Sequence, residues 1–136
     1  PRCHSGDVID PEYGGPDACQ DVGQPAVQMQ AHSAPLGLAF YTGREFPSDY
    51  WGDLFIAFHG SWNRTVPTGY SVVRQPMRGS EPQGPVEEFA GGWLDLEANS
   101  ASGRPAGLAV GPDGALYVSD DKGGFIYRIS YHGGGR

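Results

Sequence analysis

The hexapeptide PLGLAF at Pro35–Phe40 returns 70 residues later as PAGLAV at Pro105–Val110. Two further runs return in the same order. GDLFIA (Gly52–Ala57) is echoed by GALYVS (Gly114–Ser119), and GYSVV (Gly69–Val73) by GFIYR (Gly124–Arg128). Each is a short β-branched and aromatic run bounded by Gly, Pro or Asp, the pattern of a strand. No amphipathic helical stretch separates them. GPDG (Gly111–Gly114) reads as a tight hairpin turn, with glycine supplying a positive φ.

An all-β unit repeating at this period predicts a propeller or solenoid array. Three or four short antiparallel strands make one blade of a β-propeller. The chain then divides into 1–34, an irregular segment holding Cys3 and Cys19; 35–98, a first blade; and 99–136, a second and last blade. The outermost strand of the first blade is PVEEFAGGW (Pro85–Trp93), whose mixed apolar and acidic residues suit an exposed edge. The expectation is about two four-stranded blades. Only three strands are legible in the second, so its fourth must come from elsewhere, with the N-terminal segment as one source. The competing arrangement is a β-sandwich whose turns coincide. Closed propellers have roughly four to eight blades. Either further blades belong to a longer chain, or copies assemble, three copies of two blades closing a six-bladed ring.

Composition agrees with a turn-rich β protein. The 136 residues include 22 Gly and 12 Pro, yet 12% are aromatic and these cluster instead of thinning out. The net charge is −7, and Lys122 is the only lysine among nine cations. An acidic surface excludes nucleic acid as a partner, because phosphate binding needs a basic face. No apolar run reaches the length of a membrane-spanning helix. The sequence contains no signal peptide and begins with Pro1, which reads as a processed or truncated start. Cys3 and Cys19 lack the paired motifs zinc needs. A disulfide is favoured over two reduced thiols, and it restricts the unfolded chain by about 3 kcal/mol. Such a bond implies an oxidising compartment, periplasmic or secreted.

The stretch HSAPLGLAFYTGREFPSDYWGDLFIAFHGSWNRTVPTGYSVVR (His32–Arg74), followed by GRPAGLAVGPDGALYVSDDKGGFIYRISY (Gly103–Tyr131), resembles the C-terminal part of the glucose/sorbosone dehydrogenase family. These enzymes use pyrroloquinoline quinone, and the likeness is greatest to the sorbosone branch. The opening PRCHSGDVIDPEYGGPDAC (Pro1–Cys19) is similar to the cysteine-bearing loop that precedes those blades. The resemblance implies a six-bladed propeller with cofactor and sugar or aldehyde substrate near the central axis, and calcium in the full-length family. It also implies that the catalytic histidine, which takes the sugar hydroxyl proton, lies in an earlier blade outside this chain. His32 and His59 fall in matched segments, away from that position. No catalytic residue and no metal ligand are therefore assigned here.

Four residues are candidates for cofactor contact. In the family a cation at the end of the strand matching LFIAF reaches the quinone, which here points to His59 and Arg64 in HGSWNR. A second arginine precedes the innermost strand of the last blade and matches Arg104. Where the family has another arginine two positions on, this chain has Ala106. Trp62 offers an aromatic surface. The chemistry is consistent, since planar guanidinium groups bind carboxylates bidentately. Each candidate has a structural alternative: a salt bridge or loop cap for Arg64, pairing with Asp120 or Asp121 for Arg104, a loop-pinning hydrogen bond for His59, and a wedge between blades for Trp62. SDDKGG (Ser119–Gly124) offers two carboxylates to a cation or, as a plain hairpin, to solvent. Two functions follow: part of a quinone-dependent dehydrogenase, inactive alone, or a non-catalytic carbohydrate-binding partial propeller.

Overall fold

A four-stranded antiparallel sheet carries the first half of the repeat. The computed structural model describes residues 2–133. Residues 1 and 134–136, the extreme ends of segments 1–34 and 99–136, lie outside the described residues. The first sheet joins β1 (Pro35–Phe40), β2 (Leu54–Phe58), β3 (Ser71–Gln75) and β4 (Glu87–Ala90) in that spatial order. The second joins β5 (Pro105–Val110), β6 (Leu116–Asp120) and β7 (Phe125–Ile129), also antiparallel and in chain order. The repeat seen in the sequence is thus real at the level of elements. Even the irregularity recurs: register shifts between Pro35 and Gly37 in β1 and between Pro105 and Leu108 in β5.

One expectation is corrected. The two sheets hold four and three strands, not four and four. The N-terminal segment does not complete the second sheet. Its Cys3–His4 pairs with Val8–Ile9 in a ladder of its own. The Cys3–Cys19 disulfide, with Cα atoms 5.2 Å apart, closes that segment on itself. Two more two-residue ladders, Met77–Arg78 with Glu81–Pro82 and Leu94–Asp95 with Ser100–Ala101, decorate the connections. Among the described residues the only helical element is the 3-10 turn Ser48–Tyr50.

Strand alternation explains how the sheets meet. Phe55 and Val72 project from the first sheet, and Leu116 and Val118 from the second, into one buried cluster with Tyr41 and Phe46. Leu108, Val110, Tyr127 and Ile129 line the same seam. Full burial of a phenylalanine such as Phe55 contributes roughly 1.5–3 kcal/mol. Aromatic geometry adds specificity: Tyr41 stacks on Phe46 at 4.6 Å, and Phe55 meets Phe89 edge to face at 4.7 Å. The Tyr41 hydroxyl donates to the Gly114 carbonyl at 2.7 Å and accepts the Phe46 N–H at 2.9 Å, tying the sheets by a buried polar bridge.

The inner strands β1 and β5 approach backbone to backbone. A Cβ on Gly37 would lie 2.3 Å from the Ala106 carbonyl oxygen, so only glycine fits there. The opposite faces are less covered. Ile56, Phe58 and Val73 are buried under Met29 and Val86, but Leu38 on β1 is 65% exposed and Ile126 on β7 is 75% exposed. Each sheet therefore has one packed face and one that leaves apolar side chains open.

Candidate functional site

The β2–β3 connection, residues 59–70, is held at its base by the chain before β1. The His59 N–H donates to the Ala34 carbonyl and the Gly60 N–H to the Ser33 carbonyl, both at 2.9 Å. Gly60 is required by its neighbour: a Cβ there would meet the Tyr70 ring at 2.5 Å, and its φ is +93°. Across the loop the Ser61 N–H donates to the Thr68 carbonyl at 2.9 Å, and the Tyr70 hydroxyl donates to the Ser61 carbonyl. The loop is consequently rigid where it leaves β2. Further out, Trp62 is 86% exposed.

Arg104, just before β5, reaches across the seam into this loop. Its Nη1 donates to the Gly60 carbonyl at 3.1 Å and lies 3.4 Å from the His59 carbonyl oxygen. Its Nη2 donates to the Ser61 carbonyl and to the Tyr70 hydroxyl oxygen, both at 3.1 Å. The guanidinium also sits 4.8 Å from the Tyr70 ring centroid, within cation–π range. His59 completes the lock. Its Nε2 is 2.9 Å from the Asp121 carboxylate, which can only accept, so Nε2 carries the proton. That tautomer leaves Nδ1 to accept from Arg104 Nη1 at 3.4 Å.

Asp120 builds the opposite wall. It is 2% exposed and accepts the backbone N–H groups of Arg104 and Gly123 at 2.8 Å and of Lys122 at 3.1 Å, together with the Tyr127 hydroxyl at 3.2 Å. Burial, the largest influence, pushes its carboxyl up. The four donors outweigh it and hold the group below the usual aspartate range. Asp120 and Asp121 are thus engaged within the chain. Among the described residues no three His, Cys, Asp or Glu side chains converge as a cation site.

Between these walls lies a cleft of about 350 Å³, lined by Trp62, Arg64, Tyr70, Arg104 and Lys122 among others. No carboxylate lines it, although the chain carries a net charge of −7. Three cations line the cleft with no acid among the lining residues, an arrangement suited to anions. The structure brings Trp62, Arg64 and Arg104 to one cleft and places His59 behind it as a brace. Exposed His32 is not among the cleft's lining residues. Lys122 was missed by sequence reading. SDDKGG drew attention to its carboxylates, and the one available signal was that its lysine is the only one in the chain.

The profile of the TrAA12-like family matches residues 12–132. The chain belongs to the TrAA12-like family. Its relatives include an uncharacterized protein of Borreliella burgdorferi, 39% identical over 105 residues, which cover 76% of this chain and 27% of that one. A pyrroloquinoline quinone-dependent pyranose dehydrogenase of Coprinopsis cinerea is 35% identical over 123 residues, 78% of this chain and 16% of that one. The holo form of the pyranose dehydrogenase PQQ domain from Coprinopsis cinerea superimposes with a TM-score of 0.69 at 29% identity, covering 90% of this chain and 32% of that one. This TrAA12-like chain therefore spans less than a third of the proteins it matches. The expected kinship with quinone-dependent sugar dehydrogenases is established, together with an all-β architecture of antiparallel sheets.

Proposed function

We propose that this chain is the C-terminal propeller portion of a quinone-dependent sugar dehydrogenase of the glucose/sorbosone type, and that its cleft holds part of the carboxylated quinone. The acid-free cationic cleft carries the reading. Pyrroloquinoline quinone is planar and bears three carboxylates. Arg64 supplies guanidinium donors, and Trp62 supplies an aromatic face at the mouth. Arg104 and His59 shape the floor and keep the loop in place. When bound, the quinone accepts hydride from the sugar or aldehyde. The chain's own residues bind and orient it. By family resemblance the base that takes the hydroxyl proton is not in this stretch, so we expect no turnover from the chain alone. We derive no step through calcium, because the described residues offer it no ligand set.

Adjacent sheets with packed faces and touching inner strands support two neighbouring blades of a six-bladed-type propeller. The open apolar faces at Leu38 and Ile126 support further sheets on either side, from the rest of a longer chain or from other copies. The disulfide supports a periplasmic or secreted location. The partners on this reading are a sugar or aldehyde, with neither nucleic acid nor membrane. Among the described residues no helix is long and apolar enough to cross a bilayer.

Calorimetric titration with pyrroloquinoline quinone, alongside a dye-reduction assay with sugars and calcium, tests the proposal. Quinone binding without dye reduction is expected; absence of binding up to millimolar quinone removes the reading. Exposed Trp62 favours one alternative, a non-catalytic carbohydrate-binding module. Quenching of tryptophan fluorescence by sugars in the absence of quinone would select it.

A further inference from the structure

We propose that Lys122 is a recognition cation of the cleft, clamping a ligand carboxylate from the second sheet while Arg64 clamps another from the first. The inference rests on the quinone reading of the same cleft and adds a residue outside the four candidates drawn from the sequence.

Counting donors points to it. A guanidinium has five N–H donors. The four on the Nη1 and Nη2 nitrogens of Arg104 face His59, Gly60, Ser61 and Tyr70. Little of Arg104 remains for an incoming anion. Arg64 makes one hydrogen bond, from Nη1 to the Ala31 carbonyl at 3.2 Å. Lys122 donates from Nζ to the Ala101 carbonyl at the cleft rim and keeps two ammonium donors. The cations best able to meet carboxylates are therefore Arg64 and Lys122.

Lys122 is also well placed. Its own N–H and that of Gly123 both donate to buried Asp120, and the Gly124 N–H donates to the Asp120 carbonyl at 3.0 Å. The turn that presents it is fixed before any ligand arrives, which lowers the entropic cost of binding. Arg64 belongs to the β2–β3 loop and Lys122 to the β6–β7 turn. A polycarboxylate held by both bridges the seam between the sheets, so binding should resist their separation.

The experiment uses the full chain and pyrroloquinoline quinone, with binding followed calorimetrically at low salt and at about 0.5 M salt. Lys122→Met should weaken binding about tenfold at low salt, as expected for loss of a charge-assisted hydrogen bond. Lys122→Arg should stay within about threefold of the parent. At high salt the Lys122→Met deficit should shrink to about threefold or less, because an exposed charge is screened. The quinone should raise the melting temperature of the parent more than that of Lys122→Met. Equal binding by Lys122→Met overturns the role of Lys122 and leaves the quinone site standing. A deficit unchanged by salt also overturns it, assigning Lys122 to holding the Ala101 rim. Failure of the parent to bind removes the site and this proposal together. The side chain is exposed, so both variants should melt within a few degrees of the parent without ligand.

Discussion

At the residue scale, Arg104 both lines the cleft and braces the loop beside it. The sequence places it before the inner strand of the last repeat, and it does line the cleft. Its planar fork nevertheless turns inward to the carbonyls of Gly60 and Ser61 and to Tyr70. Arg104→Lys retains the charge and loses the fork. It should cost about 1.5–3 kcal/mol of stability in a denaturant titration, the range for hydrogen bonds to charged groups. Asp120 makes a pH prediction. Its folded carboxyl lies below its unfolded value of about 4. Its stabilisation is therefore present above that unfolded value and lost as pH falls through the lower folded one. Stability measured from pH 6 down to pH 2 should fall more steeply in the parent than in Asp120→Asn. Asp113, held down chiefly by Arg128, titrates with the same sign in both proteins and does not affect the comparison. Neither role was legible in the sequence. A carboxylate beside a glycine turn looks solvated until burial and four donors are counted around it.

At the element scale, the strands were legible because periodicity and turn chemistry coincide: PLGLAF and PAGLAV share their bulge as well as their letters. Their limits were less so. The run read as starting at Gly69 begins at Ser71, since Gly69 and Tyr70 both adopt positive φ, at +86° and +62°. The missing fourth strand of the second sheet was illegible for another reason. A loop closed by a disulfide has no hydrophobic period to read, so the sequence carries no signal of whether it pairs with the second sheet. Two outcomes test the packing. Phe55→Ala should cost about 3–5 kcal/mol by leaving a cavity beneath both sheets. Reducing the Cys3–Cys19 bond should cost about 3 kcal/mol at most by the loop-entropy argument. The loss should be confined to the disulfide-closed loop, residues 3–19, in hydrogen exchange, because its strands Cys3–His4 and Val8–Ile9 pair with each other and with neither large sheet.

At the scale of the whole molecule, the two sheets share one core and leave their outer faces uneven. Scattered apolar residues on a surface are ordinary, but Leu36, Leu38 and Phe40 lie along a single strand, all more than half exposed. From the number of repeats the sequence raises the expectation of further blades or copies, but it does not single out these side chains. Light scattering should give a mass of at least twice 14.5 kDa for the isolated chain. Leu38→Glu combined with Ile126→Glu should return it to the monomer. A monomeric parent that binds no hydrophobic dye would overturn the expectation of further sheets.

Because the cleft carries the chain's only lysine, amine chemistry is almost positionally selective. Apart from the amino terminus, an acylating dye has one side chain to react with. A ligand carboxylate seated on that ammonium should shield it, so the rate at which the dye couples there, without any engineered cysteine to compete with the disulfide, would report how full the pocket is.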